Sequence, residues 1–130
     1  KSGGLYKICK MLSKLFILSP TGNGNQWQSW IHEKDAAKII LSSCENSWRG
    51  TYNLVAPNPV KQNELINKIA IFNKSRVIFP NIPSFIIKSV FGEMSEVILS
   101  SQKVKSIKLN ESDFSFKYID DALKDLSKNI

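Results

Sequence analysis

The chain has 130 residues, of which 42% are hydrophobic and 22% charged, and its formal net charge is +7. This length predicts a single domain that buries roughly two-thirds of its unfolded surface. The longest apolar runs, at residues 15–18 and 82–87, fall far short of the roughly 18 residues that a membrane-spanning helix requires.

The cysteine and histidine content argues against a structural zinc site. Cys9 and Cys44 lie far apart, no CxxC motif is present and His32 is the single histidine, so a four-ligand site has too few candidates. We therefore expect two buried thiols in a reducing cytoplasm, and we expect the protein to be cytoplasmic.

The positive charge is spread along the chain. A basic balance is typical of proteins that bind nucleic acid or anionic membranes. The lysines form no cluster, however, and no aromatic RNA-binding motif or helix-turn-helix signature accompanies them. A solvated basic surface is the favoured interpretation, and a basic module for nucleic acid or anionic membrane is the alternative.

Apolar periodicity predicts two helices and two strands in the first half of the chain. In order, the predicted elements are an amphipathic helix over residues 5–16, a turn-rich loop over 20–25, a strand over 27–32, a helix over 35–45 and a strand over 51–56. The inward face of the second helix is predicted to consist of Ala36, Ile39, Ile40 and Ser43.

The second half continues the alternation. Helices are predicted over residues 62–72, 84–91, 93–100 and 120–128, with short strands over 76–79 and 103–107. Ser84 is the expected N-cap of the second of these helices, and Gly92 interrupts it. The predicted inward-facing residues are Leu65, Ile66, Ile69, Phe72, Ala122, Leu123 and Leu126. The pattern predicts an α+β fold, a small mixed sheet with covering helices.

Catalytic motifs are weak. The loop before Trp27 contains GxG but lacks the third glycine of a dinucleotide fingerprint. Tyr6 and Lys10 match YxxxK by count only, since no glycine-rich loop precedes them. His32 and Asp35 suggest acid–base work, but a helix cap is the favoured role for His32 because no nucleophile pattern accompanies it. We predict no catalytic, cofactor-binding or metal-binding residue in this chain.

Spaced motifs along nearly the whole chain resemble one family. Residues 22–35, GNGNQWQSWIHEKD, resemble the G-S-G-x-Q-x-x-S-W-I-H-I-D-D element of atypical extended short-chain dehydrogenases, the NAD-dependent epimerase-like family sometimes called cell division inhibitor proteins. The resemblance continues through residues 50–60 (GTYNLVAPNPV), 92–94 (GEM), 101–104 (SQKV) and 114–118 (FSFKY), and includes residues 3–5 and 122–123. Departures from the family pattern occur at 17–20, Glu33, Lys34, Ser106 and Asp113.

The resemblance implies that this chain, which starts at Lys1 rather than Met, is the C-terminal part of a larger protein. The parent would be a nucleotide-sugar epimerase or oxidoreductase-like enzyme whose Rossmann half, missing here, binds NAD(P). Residues 1–130 would form one substrate-side domain that is not catalytic alone and binds no cofactor. Within it, residues 1–49 would pack on the Rossmann domain, and residues 80–130 would form a family-specific C-terminal subdomain.

The resemblance also implies which residues line the substrate cleft. The first candidates are Gln26, Trp27, Ser29, Trp30 and His32; the second are Gly92, Glu93, Met94 and Gln102. An indole offers an apolar face with one N–H donor, and amide and hydroxyl groups give directional hydrogen bonds. In a strand, Trp30 and His32 would share one face and Ser29 and Ile31 the other, so one set belongs to the core.

The expected partners follow from the absence of the Rossmann half. The chain is expected to pack on the N-terminal Rossmann domain, and no nucleic acid or membrane partner is expected. Alone, it would expose the predicted strand over residues 51–55, whose edge invites pairing with a second copy. We expect the chain to form a homodimer or to swap elements with a second copy, which a monomer mass by light scattering at high concentration would contradict. A protein–protein role in cell division would rest on the family's name alone.

Overall fold

The computed structural model describes residues 5–16 and 18–128, apart from the side chains at 5, 7, 8, 90, 91, 94, 97 and 98. Within these residues, the segments with helical spacing of apolar residues form six α-helices. The helices are α1 Leu5–Lys14, α2 Glu33–Glu45, α3 Gln62–Phe72, α4 Ser84–Phe91, α5 Ser95–Leu99 and α6 Ile119–Lys128. Two single turns of 3₁₀ helix add Gly92–Met94 and Glu111–Asp113. In this described part, no helix combines the length and the apolar character needed to cross a bilayer.

The main core forms where α3 packs against both α1 and α6. Leu65, Ile66 and Ile69 recur at helical spacing on α3, so one face of this helix is apolar and becomes buried. Cys9 from α1 and Leu123 from α6 complete the same cluster. Burial raises the pKa of the Cys9 thiol to about 11, so this thiol stays protonated at neutral pH.

A second, smaller cluster lies under α2. Ile39 from that helix packs with Leu109 and Phe114 from the C-terminal segment. Trp48 and Tyr52 stack on each other at its border, with ring centroids 5.1 Å apart. The irregular segments on both sides of α3 are thus held by side-chain packing.

The α+β class is confirmed, but the sheet contains far less strand than expected. Its strands are β1 Trp27–Gln28 and β2 Val60–Lys61, which pair antiparallel. An isolated parallel bridge joins Thr21 to Ile82. The predicted strand over 27–32 therefore stops after two residues, and β2 was not predicted.

The strands predicted over residues 51–56, 76–79 and 103–107 are wrong, because none of these segments is a strand. A strand requires a continuous ladder of backbone partners, and these segments have single bonds instead. The N–H of Ala56 donates to the carbonyl of Trp30 at 2.7 Å. The amide of Asn53 donates from its side chain to the carbonyl of Lys105. Consequently, residues 51–55 offer no strand edge, while the expected homodimer itself stays a prediction.

Three local predictions also need correction. Pro83 is the N-cap of α4, and Ser84 is its first helical residue, because a proline that cannot donate suits that boundary. Ile40 on α2 is exposed rather than inward-facing, since the helix buries only the side that carries Asp35 and Ile39. Cys44 is exposed near the end of α2, so only one of the two thiols is buried.

The loop over residues 20–25 is tied down on both sides. Gly22 donates to the carbonyl of Ile82, and Ile82 donates to that of Pro20, both at 2.8 Å. Gly24 has a φ of +69°, and a Cβ there would overlap the side chain of Asn63. Glycine is therefore required at this position by both backbone conformation and close packing.

Candidate functional site

A shallow hollow beside β1 brings together three of the predicted ligand-contacting residues. Its volume is about 180 Å³, and it is lined by Trp27, Gln28, Ser29, Ser100 and Gln102. Trp27, Ser29 and Gln102 came from motifs far apart in the sequence, whereas Gln28 and Ser100 were not predicted. The hollow is therefore the place where three of the nine predicted site residues meet.

Residues 101–104 run alongside residues 27–29 and are hydrogen-bonded to them. Serine hydroxyls make most of these bonds, in places where a β-sheet would use backbone groups. The N–H of Trp27 donates to the hydroxyl of Ser101 at 3.0 Å, and the N–H of Gln102 donates to the carbonyl of Trp27 at 3.1 Å. The hydroxyl of Ser29 donates to the carbonyl of Gln102 at 2.7 Å and accepts the N–H of Val104 at 2.9 Å. Ser29 therefore has a structural role at the rim, because its hydroxyl is already used twice.

Two lysines flank the Trp27 indole. Lys61 lies opposite Trp27 in the β1–β2 register, and its Nζ is 5.8 Å from the indole ring centroid. The Nζ of Lys103 is closer, at 4.1 Å. An ammonium group within about 6 Å of an aromatic face is attracted by the ring quadrupole. Neither lysine was predicted, because strand register and tertiary hydrogen bonds place them.

The side-chain amides of Gln28 and Gln102 remain available. Both residues line the hollow, and neither carboxamide has a hydrogen-bond partner among the described residues. Each can offer one acceptor oxygen and two donor hydrogens to a ligand. The hollow thus combines an aromatic face with two free carboxamides, and two ammonium groups lie near the same indole outside its lining.

Three other candidates from the same motif are directed into the protein. Gln26 is buried and donates from its amide to the carbonyl of Thr21 at 2.9 Å. The indole N–H of Trp30 donates to the carbonyl of Asn58 at 2.8 Å. His32 is only 3% exposed. These side chains hold neighbouring segments together.

The remaining candidates lie outside the hollow lining. Gly92 and Glu93 are exposed at the turn that follows α4. Met94 belongs to the same turn, but its side chain lies outside the described residues. Ligand contact by these residues stays a prediction.

His32 is the N-cap of α2, as the favoured interpretation held. Its Nδ1 accepts the N–H of Lys34 at 3.2 Å, and its ring stacks on Phe116 with centroids 3.9 Å apart. Because Nδ1 accepts, the neutral ring carries its hydrogen on Nε2. This atom is 3.5 Å from Asp125 Oδ2 and makes no hydrogen bond.

Burial lowers the pKa of His32 below its ordinary value of 6.5. The desolvation of the charged ring is the largest cause, and the nearby Lys34 ammonium acts in the same direction. The carboxylates of Asp125, Asp35 and Glu33 oppose it, Asp125 most strongly. His32 is therefore neutral at pH 7 in the folded protein.

The lowered pKa predicts a loss of stability in mild acid. Between the folded-state pKa and about 6.5, the unfolded chain binds more protons at this residue than the folded chain. The free energy of unfolding should therefore fall by up to about 1.4 kcal/mol per pH unit as pH drops through this window, and His32 should add no further loss below it. Urea denaturation at several pH values between 7.5 and 5.5 measures this slope.

The matched variant for this experiment is His32→Asn. Asparagine is a good N-cap and does not titrate, so the variant should fold with a smaller slope over the same pH range. Equal slopes for the two proteins would show that His32 does not cause the pH dependence.

Asp35 has a structural role that the sequence did not predict, because its carboxylate binds two backbone N–H groups. Its Oδ1 accepts the N–H of Ser115 at 3.0 Å, and its Oδ2 accepts the N–H of Phe116 at 2.9 Å. The side chain is fully buried. Asp35 therefore fastens the C-terminal segment to α2, and through Phe116 it also packs that segment on His32.

Tyr6 lacks the properties of a catalytic tyrosine. Burial raises the pKa of its phenol, an effect that Asn73 only partly offsets. A tyrosine that exchanges protons near neutral pH needs its pKa lowered instead. Among the described side chains, His, Cys, Asp and Glu also form no group of three that could hold a metal ion.

Comparisons with known proteins identify relatives over nearly the whole chain. Residues 82–126 match the family described as Domain of unknown function (DUF1731). The epimerase family protein SDR39U1 homolog, chloroplastic, of Arabidopsis thaliana is 35% identical over 127 residues, which are 95% of this chain and 36% of that protein. An epimerase family protein of Staphylococcus epidermidis is 36% identical over 130 residues, which are 97% of this chain and 43% of that protein.

A solved structure shows the same fold. The crystal structure of human epimerase family protein SDR39U1 (isoform 2) with NADPH superposes with a TM-score of 0.88 at 28% sequence identity. The match covers 100% of this chain and 45% of the human chain. The chain thus spans about two-fifths of the length of the relatives it matches and corresponds to their C-terminal portion. The family resemblance is confirmed.

Proposed function

From the homology of this chain to the C-terminal portion of epimerase family proteins, we propose that it is the substrate-binding part of an NAD(P)-dependent epimerase or reductase-like protein. On its own, it does not catalyse hydride transfer. The observation that carries this proposal is the hollow beside β1, in which Trp27, Ser29 and Gln102 come together. Ligand sites in proteins combine apolar surface with a few convergent polar groups, as this hollow does.

The cofactor is proposed to be NAD(P), because the human relative is described with NADPH. The described residues of this chain do not fit a dinucleotide. The loop that contains Gly22 and Gly24 leads into β1 rather than into a helix, so it lacks a helix N-terminus to receive a pyrophosphate. Gly24 is buried against Asn63, which leaves no room for a phosphate. We therefore assign cofactor binding to the part of the relatives that this chain does not match.

The absence of catalysis by this chain alone is supported by its best acid–base candidates. His32 is buried and caps α2, and the phenol pKa of Tyr6 is raised. Hydride transfer also requires a bound nicotinamide, which the cofactor provides. The chain's own residues are left to bind and orient a substrate.

The segment over residues 1–49 supplies a surface for the Rossmann portion. Its exposed large apolar side chains are Met11, Leu15, Phe16, Ile40 and Leu41. Exposed apolar side chains of this number favour a protein partner, and we propose that the N-terminal portion of a longer protein covers them. A second copy of this chain is the expected occupant when that portion is absent.

A titration with NADPH tests the proposal. No saturable change in tryptophan fluorescence is expected at concentrations up to about 1 mM, because this chain lacks a dinucleotide site. The human relative, described with NADPH, is the positive control. Saturable micromolar binding would contradict the assignment. Trp27→Phe and Trp48→Phe variants would then show which indole reports the binding.

A further inference from the structure

Helix α2 carries a second apolar face, which the fold leaves uncovered. This face, the outer stripe of α2, consists of Ala37, Ile40, Leu41 and Cys44, all of which are exposed. Ile40 and Leu41 are the largest of the four, at 52% and 60% exposure. At about 100° per residue, this spacing forms one stripe on the side opposite to Asp35 and Ile39, which are buried.

The outer stripe reverses the usual order of a surface helix. Such a helix buries apolar residues and presents charged ones to solvent, whereas α2 buries the carboxylate of Asp35 and exposes a run of apolar side chains. Asp35 accepts backbone N–H groups of the C-terminal segment, so α2 is held in this orientation. The stripe can therefore be covered only by another molecule or by a part of the protein outside this chain.

The stripe is complementary to a second copy of itself in the antiparallel direction. If a twofold axis passes between residues 40 and 41, Ile40 of one copy faces Leu41 of the other, and Ala37 faces Cys44. The large side chains then meet at the centre and the small ones lie at both ends, where two helices can approach to about 8–10 Å. In a parallel pair, each residue would face its own copy instead.

Two charged residues beside the stripe favour the antiparallel pair. Lys38 and Glu45 are exposed and lie on the same flank of α2. The twofold axis sets residue 38 level with residue 43 of the other copy, about 3 Å along the helix from Glu45. Lys38 donates to the carbonyl of Asp113 at 3.2 Å and has two further donors for that carboxylate. A parallel pair would set lysine against lysine and glutamate against glutamate, so charge selects the direction.

We propose that two copies of this chain associate through the outer stripes of α2, antiparallel about an axis between residues 40 and 41. The inference rests on the proposed function, in which an N-terminal portion covers this helix in a longer protein and a second copy covers it otherwise. A helix face thus replaces the strand edge expected over residues 51–55. Because the 13 residues of α2 span only about 20 Å, the contact is smaller than the roughly 1,200–2,000 Å² of stable interfaces, and its dissociation constant should be roughly 0.1–1 mM.

Disulfide trapping of the variant Ala37→Cys tests the register. The introduced thiol faces the native Cys44 of the second copy, and a disulfide requires Cα atoms about 4.4–6.8 Å apart. Mild oxidation at about 1 mM protein should give a covalent dimer whose proteolytic fragments link position 37 to position 44. Within one chain these positions are about 10 Å apart along the helix, so no internal disulfide competes. Cys9 is buried and does not take part.

Two proteins control for random collisions between thiols. The parent chain exposes Cys44, and in the proposed pair its two copies are about 10 Å apart along the helix, so it should cross-link about tenfold more slowly. Lys124→Cys adds an exposed thiol on α6 instead and should behave like the parent. Equal rates for all three proteins, or fragments that link Cys44 to Cys44, would overturn the register.

Leu41→Glu tests the interface without cysteine chemistry. Two glutamates then lie close together at the centre of the pair and repel, so sedimentation at about 1 mM should show a monomer where the parent is partly dimeric. Leu41 is exposed, so the urea midpoint should stay close to that of the parent. Ile71→Glu, at an exposed apolar position on α3, should associate like the parent. A monomeric parent, or association that Ile71→Glu rather than Leu41→Glu abolishes, would overturn the interface.

Titration with NADPH keeps this inference distinct from the proposed function. A dimer of the proposed register that binds NADPH would support the interface while rejecting the proposed function. A monomer that ignores NADPH would reject the interface alone. A dimer that ignores NADPH is the result that both proposals expect.

Discussion

Asp35→Ala is expected to lower the free energy of unfolding by about 3–5 kcal/mol. Asp35 is only 1% exposed, and its two oxygens accept the N–H groups of Ser115 and Phe116. Alanine leaves both donors without their acceptors in a site closed to water, and it also leaves a cavity. Since domains are typically stable by 5–15 kcal/mol, this one change should bring the protein close to unfolding.

Two companion variants isolate the cause. Asp35→Asn retains one acceptor oxygen but places an NH₂ group against the other donor, so it should lose about half as much. Asp121→Ala removes an exposed acid from the first turn of α6 and should cost only a few tenths of a kcal/mol. Urea denaturation followed by far-ultraviolet circular dichroism gives all three values. A loss for Asp35→Ala as small as that for Asp121→Ala would contradict the structural role of the buried carboxylate.

Ile69→Ala is expected to lower the free energy of unfolding by about 3 kcal/mol, within the range of 2–5 kcal/mol for such core truncations. Ile69 is 2% exposed at the centre of α3, where α1 and α6 meet it. Removing three carbon atoms there forfeits their burial and leaves a cavity that the surrounding helices fill only in part. Chemical denaturation with urea measures the change.

The same helix supplies the control. Ile71 is 70% exposed and lies two residues further along α3. Ile71→Ala removes the same atoms and improves the helix propensity, so its effect should remain within about 0.5 kcal/mol. If the two variants lost equal stability, the orientation of α3 in the core would be wrong. Because Ile71 lies outside the hollow lining, neither result bears on ligand binding.

Polar side chains attach the second half of the chain to α2 and to β1. Asp35 fixes residues 115 and 116, and Phe116 in turn covers His32. Serine hydroxyls perform a similar task at residues 101–104, where they align the segment with β1. The lining residue Gln102 is therefore held beside β1 by the hydroxyl hydrogen bonds of Ser29 and of the neighbouring Ser101. Changes that loosen these attachments should weaken binding without removing any contacting group.

The sequence by itself indicated the helices and the family resemblance. The predicted and observed bounds of α3 coincide at residues 62–72, because helical periodicity is encoded within one segment by its own apolar spacing. The N-cap role of His32 was predictable for the same reason, since it depends on residues that follow directly. The motif over residues 22–35 was sufficient to indicate relatives that the comparisons confirm.

Only the tertiary structure decided which β-type segments pair and which motif residues meet in the hollow. Residues 51–56 and 103–107 have strand-like composition, yet a strand exists only where another backbone completes its hydrogen bonds. Likewise, Trp27, Gln102, Lys61 and Lys103 come together through cross-strand register and hydroxyl hydrogen bonds, contacts between segments distant in sequence. Local patterns carry no record of such partners, because the partner is chosen by the packing of the whole chain.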